Sequence, residues 1–191
     1  SPSRSRAAGM YEKLKEENDS HYMANFRLTE WYYSQKQYRT AKKCAEKVLA
    51  TGSDDAFLDT LARINEEIEK ELEVRLREEP GWEPRLELCW CYLQDGKIAR
   101  GIHMALKLEK LLPPEKEAEY NGLLAKLYVE QGEYETAIAM TRAWEDSLRK
   151  KIEKYTVSDE GETKRDRDRL RQAHLIRMQC YHNLGFRDKE N

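Results

Sequence analysis

Four histidines and four cysteines are the side chains with which this chain could bind a metal or activate a nucleophile, and their spacing argues against both. His174 and His182 stand eight apart in a helix-periodic stretch, roughly 12 Å along the axis, too far to share an ion without a third ligand. Cys89 and Cys91 flank Trp90, but residues two apart on a helix point about 200° away from each other and cannot jointly grip an ion. Both cysteines read as small buried hydrophobes. The sequence contains no Cys-x-x-Cys, Gly-x-Ser-x-Gly, His-Glu-x-x-His, glycine-rich phosphate loop or EF-hand pattern. No nucleophile, base and orienting group can be assembled. The chain is therefore expected to be no enzyme and to carry no catalytic residue, cofactor or metal.

Charge carries little more chemistry. The 34 basic and 36 acidic side chains give a net charge of −2 and are interspersed, so no whole-molecule field draws in nucleic acid or an anionic membrane. The charged runs at 66–79 and 164–171 read as solvated helix faces with pairs four apart, although the second is basic enough to catch an acidic segment. No apolar run is long enough to span a membrane and no secretory h-region opens the sequence. The cysteines lie inside apolar-periodic segments, which favours a reducing compartment and a cytoplasmic location.

The elements that must position these residues are helices. A chain of 191 residues that is 39% hydrophobic and 37% charged, with 9 glycines and 5 prolines, has the balance of helix pairs with one wet face and little turn chemistry for a sheet. Residues 1–9, rich in serine and arginine without an apolar period, read as a flexible tail or linker. Residues 10–191 read as a single helical domain, with a fragment of a larger protein as an alternative reading. Met10, Tyr11 and Leu14 lead into Tyr22, Phe26, Tyr32 and Tyr33 as one long helix or two short ones. Tyr38, Ala41, Ala45 and Val48 line the next, which stops at Gly52, a residue suited to a helix C-terminus. Residues 53–55 offer N-cap chemistry for a long charged helix to Glu79, ended by Pro80-Gly81. Further helices follow around breaks at Asp95-Gly96, Pro113-Pro114 and Gln131-Gly132. Residues 157–163 read as a loop before a last helix ending at Leu184-Gly185.

Aligning the polar breaks exposes a repeat. Tyr32 and Ala41 flank the first, Tyr92 and Gly101 the second, Tyr128 and Ala137 the third, nine apart each time. Small residues at Ala41, Gly101, Ala125 and Ala137 would let helix backbones approach closely, and the tyrosines would fill the wedge between pairs. With Leu124, Ala125, Tyr128, Gly132, Tyr134 and Ala137, the stretch LLAKLYVEQGEYETAI resembles the tetratricopeptide repeat family. So do Trp82, Leu88, Tyr92, Gly96, Gly101, Ala105 and Pro113, and Leu28, Thr29, Tyr32, Tyr38, Ala41 and Ala45. Met178, Tyr181 and Gly185 look like the first helix of a fourth unit. The resemblance covers roughly three quarters of the chain, with extra helical material needed near 54–79 and 147–169.

This resemblance implies an all-α fold, a tetratricopeptide-like solenoid of antiparallel helix pairs. It also implies a groove on the concave face of the first helices, lined by Phe26, Glu30 and Tyr33, by Leu86, Trp90 and Gln94, by Lys126 and Glu130, and by Gln179. Family members that hold the C-terminal carboxylate of chaperones use a basic clamp on such positions. Here Phe26, Arg27, Glu30, Glu87, Trp90, Glu119, Leu123 and Lys126 stand there and cannot form one. The expected function is a non-enzymatic scaffold binding a protein or peptide, without nucleic acid or membrane insertion. The alternatives are an assembly or homo-oligomerisation module and a regulatory domain of a larger protein.

Overall fold

The computed structural model describes residues 2–52 and 55–185, and every regular element among them is helical, with no strand. In order these are α1 (Pro2–Glu17), α2 (Tyr22–Ser34), α3 (Tyr38–Thr51), α4 (Asp55–Glu78), α5 (Trp82–Gln94), α6 (Ile98–Leu108), α7 (Glu117–Gln131), α8 (Tyr134–Ile152) and α9 (Glu160–Asn183). Two of the three expected N-cap residues before α4, Ser53 and Asp54, lie outside the described residues.

The nine-residue spacing has a backbone cause. At each corner the tyrosine carbonyl accepts from the amide five residues on: Gln37 N to Tyr32 O at 2.9 Å, Lys97 N to Tyr92 O at 2.8 Å, Glu133 N to Tyr128 O at 2.9 Å. The carbonyl of that fifth residue then accepts from the small residue four further on, Ala41, Gly101 or Ala137, at 2.9, 3.0 and 2.9 Å. The first bond ends one helix and the second starts the next. Between them one residue must adopt positive φ: Lys36 at 59°, Gly96 at 68° and Gly132 at 82°. Gly185 repeats this at 75°, four residues after Tyr181.

The chain divides into two compact units, Ser1–Arg77 and Glu78–Asn191. The division falls at the end of α4, just before Pro80, whose missing N–H and ring prevent the helix from continuing.

In the first unit α1 packs on α2 and α2 on α3. Residues 2–9, expected to be a tail, form the start of α1. Arginine and alanine favour helix there, and Ala8 is buried with Leu28 and Cys44. One small buried residue leaves no apolar period to read. A break at Asn18–Ser20 separates α1 from α2, and the His21 ring Nδ1 caps α2 by accepting from the Ala24 amide at 3.2 Å. Gly52 is extended at φ 174°, so its glycine freedom is not used. In α4 a stripe of Phe57, Ile64, Ile68 and Leu72 is buried.

In the second unit α5 pairs with α6, α7 with α8, and α9 lies along α8. Its core passes from Leu86, Cys89, Ala105, Leu108, Leu123 and Leu127 to Ala125, Trp144, Leu148 and Ala173, then to Ala137, Ile138 and Cys180. Close approach is visible at two glycines. A Cβ on Gly101 would fall 2.7 Å from Leu127 Cδ2, and one on Gly122 would fall 2.6 Å from Trp144 Cε2. The expected loop at 157–163 shrinks to a single 3-10 turn, Val157–Asp159, with α9 starting at Glu160. A reciprocal cap between Thr156 and Asp159 closes that turn, which runs directly into α9.

Candidate functional site

First helices lie side by side in the second unit, α5 against α7 and α7 against α9. Helix α7 is enclosed on nearly every side: between Ala118 and Leu127 only Glu119 and Lys126 escape full burial. They are seven apart, two turns along one face, so they mark the strip of α7 that reaches solvent. Glu130 continues it as an exposed residue.

Each neighbour contributes to this strip. From α5, the half-buried Trp90 packs on the core beneath and offers its ring to Lys126, whose Nζ lies 5.2 Å from the ring centroid. From α8, Trp144 reaches the space left by Gly122 and brings its ring within 5.7 Å of the same nitrogen. Burial pushes the Lys126 ammonium below its ordinary pKa, and the nearby Arg169 of α9 adds to the effect. Immediately before α7, Lys116 lies over Trp82 at 5.8 Å and pairs with Glu119 at 2.9 Å.

Below this strip sits a buried ionic centre. Asp166 of α9 is 1% exposed; Arg169 reaches it at 2.7 Å, Lys151 of α8 at 3.1 Å, and the Tyr155 hydroxyl donates a short hydrogen bond. Burial raises the Asp166 pKa, but the bonds from Tyr155, Lys151 and Arg169 outweigh it and hold the carboxyl below the usual carboxylate range. An adjoining cleft of about 220 Å³ is lined by Lys116, Glu119, Lys151, Arg165, Asp166 and others, an even mixture of charges.

Of the residues expected in the groove, Trp90 and Lys126 come together, with Gln94 and Glu130 exposed at the far ends of α5 and α7. Leu86 does not line the surface; it is 5% exposed in the core. Gln179 is exposed on α9. In the first unit Phe26 is half-buried, its ring 5.1 Å from Phe57 of α4 and 6.1 Å from Tyr22, so the long helix takes up part of that anchor. Glu30 is exposed and paired with Arg27 at 3.1 Å, and the Tyr33 ring lies tilted against Tyr38 with centroids 5.5 Å apart.

Sequence reasoning missed Trp144, Asp166 and Arg169. Gly122 on α7 was a signal for the first, since a glycine inside an apolar helix invites a large ring from a neighbour. Nothing singled out Asp166 within a run charged throughout.

All four cysteines are free and buried, and burial pushes the Cys89 thiol up to about 12, far from a reactive thiolate. His174 Nδ1 lies 3.4 Å from the Arg177 guanidinium. Among the described residues no cluster of three His, Cys, Asp or Glu could hold a metal ion, and no helix is long and apolar enough to cross a membrane.

No family model and no curated protein matches this chain. Among solved structures it is similar to one described as "Crystal structure of YrrB: a TPR protein with an unusual peptide-binding site", at 19% identity and a TM-score of 0.40 over 76% of this chain and 78% of the other. The repeat itself is established within the chain, by three corners that share the same hydrogen bonds and the same positive φ.

Proposed function

We propose that the chain is a non-enzymatic interaction module that holds a peptide or protein on its first-helix face, the concave side of the repeat. The observation that carries this reading is the strip of α5, α7 and α9, where a half-exposed indole, Trp90, lies beside Lys126 on a rigid, fully packed base. Aromatic side chains with a buried edge and a wet face dominate binding energy at protein interfaces, and a preorganised base lowers the entropy cost of docking. Gln94 and Glu130 flank the anchor as polar rim, and Phe26, Glu30 and Tyr33 supply a comparable set on α2.

The test is selection of displayed random peptides on the full chain, followed by affinity measurement on Trp90→Ala. A loss of about tenfold or more, with the helical circular dichroism unchanged, is expected for an interface anchor. Retention of every selected interaction would overturn the reading. A second reading, an assembly module, is favoured by the apolar residues that α9 leaves in solvent, Leu175 at 66% and Met178 at 39% exposed. Light scattering of the wild type and of Leu175→Glu separates the two, since only self-assembly makes the mass concentration-dependent.

A further inference from the structure

The other cations named around the strip above each have an acidic partner, and among the described residues Lys126 has none. Lys116 pairs with Glu119, and Arg169 and Lys151 share Asp166. Lys126 meets two indole rings and the like charge of Arg169, and it enters no ion pair or hydrogen bond among the described residues. Glu130, one turn later on the same helix, is exposed and does not reach it. Lys151 and Arg169 thus share Asp166, while Lys126 faces the like charge of Arg169 with no carboxylate of its own.

A half-buried ammonium has lost part of its hydration, and two aromatic faces replace only some of it. The missing interaction is a carboxylate approaching from solvent, to which the half-buried Lys126 remains open. We infer that the partner is an acidic peptide segment, one of whose Asp or Glu side chains docks on Lys126 while a neighbouring apolar side chain covers Trp90. This deepens the interaction-module reading and rests on it. The occupant follows from charge complementarity: a basic segment would face Lys126 and Arg169, and a neutral apolar one would bury the ammonium without a counter-charge.

The experiment takes peptides selected on the full 191-residue chain, resynthesised with acetylated and amidated ends so that only side-chain carboxylates are present. Each is measured with Glu or Asp and with Gln or Asn in its place, against the wild type and Lys126→Met. Expected is a loss of about tenfold on neutralising the peptide acid in the wild type, and little further loss in Lys126→Met, because the two groups form one interaction. Wild-type affinity should also fall as salt rises from about 0.05 to 0.5 M. The acidic inference is overturned if neutralised peptides bind equally well, or if their loss is the same in Lys126→Met. The module reading survives that result provided Trp90→Ala still abolishes binding. Failure of every peptide to bind removes both. Should Lys126→Met not fold, the acid-to-amide pairs and the salt series on the wild type still decide.

Discussion

Helices α3 and α9 both lie along a partner, yet they bury different chemistry. Helix α3 presents Ala41, Cys44, Ala45 and Val48 to its interior, whereas α9 buries Asp166, Ala173, Arg177 and Cys180, two of them charged. The ion pairs of the two units differ accordingly. Arg39–Glu71 in the first is about half exposed on both sides, at 47% and 45%, while Glu145–Arg177 in the second is 15% and 10% exposed and Asp166 is almost wholly enclosed. Where small apolar residues repeat on the corner spacing, backbone bonds and close packing hold the pair, and the buried charge of the first unit, Glu69, lies on α4 and not on α3. Helix α9 has too few apolar residues along its first half to bind α8 that way, so ions are buried in their place.

The largest effect should come from the apolar side of this contrast. Leu127 is fully buried and fills the space beside Gly101, so Leu127→Ala should cost about 3 kcal/mol, transfer and cavity terms together, in urea unfolding. Leu28→Ala, fully buried between Ala8 and Cys44, should cost a similar amount. A cost below about 1 kcal/mol at either site would mean that the neighbouring helices collapse onto the gap, and that pair packing is looser than the corners imply.

Next comes the buried ionic centre. Asp166→Asn leaves Lys151 and Arg169 without their shared counter-charge; because those two side chains are 38% and 49% exposed, solvent relieves part of the cost, and about 2 kcal/mol is expected. Glu71→Gln breaks a surface pair and should change stability by under about 0.5 kcal/mol. Equal effects at the two sites would erase the distinction drawn between α3 and α9.

The same carboxyl makes the contrast pH-dependent. Its folded pKa lies below its unfolded value near 3.9, so its contribution is fully present above about pH 4 and is lost as pH falls through the folded value. The stability gap between wild type and Asp166→Asn should therefore be constant from about pH 7 to 5 and close below about pH 4. A gap that stays open in acid would assign the effect of the substitution to shape instead of charge.

What the sequence could and could not convey follows the same division. Tyr92, Gly96 and Gly101 declared their corner because each residue type answers a local steric demand, and the same holds for Tyr128, Gly132 and Ala137. The long α4 was legible from its apolar stripe. Residues 2–9 were not, since helix there depends on one alanine meeting α2. Trp90 and Lys126 could be placed on one face by register, but their meeting with Trp144 and Arg169 depends on how α7, α8 and α9 converge. Phe26 sat at an equivalent position and still found a different environment, because α4 brings Phe57 to it.

Small effects are also expected at the corners, and there the two units should respond with opposite signs. Gly132 holds φ at 82° and Lys36 holds 59° at the equivalent position, yet only the first residue type takes up that conformation without a Cβ clash. Gly132→Ala should destabilise by about 1 kcal/mol, since a Cβ there meets no neighbouring atom and only the backbone conformation is penalised. Lys36→Gly removes that penalty but widens the unfolded ensemble, so it should stabilise by no more than about 0.5 kcal/mol. Both are read from thermal unfolding of the full chain at neutral pH. Destabilisation by Lys36→Gly would mean that the lysine contributes something beyond its backbone at the first corner, and that the three turns, alike in hydrogen bonding, are not alike in what holds them.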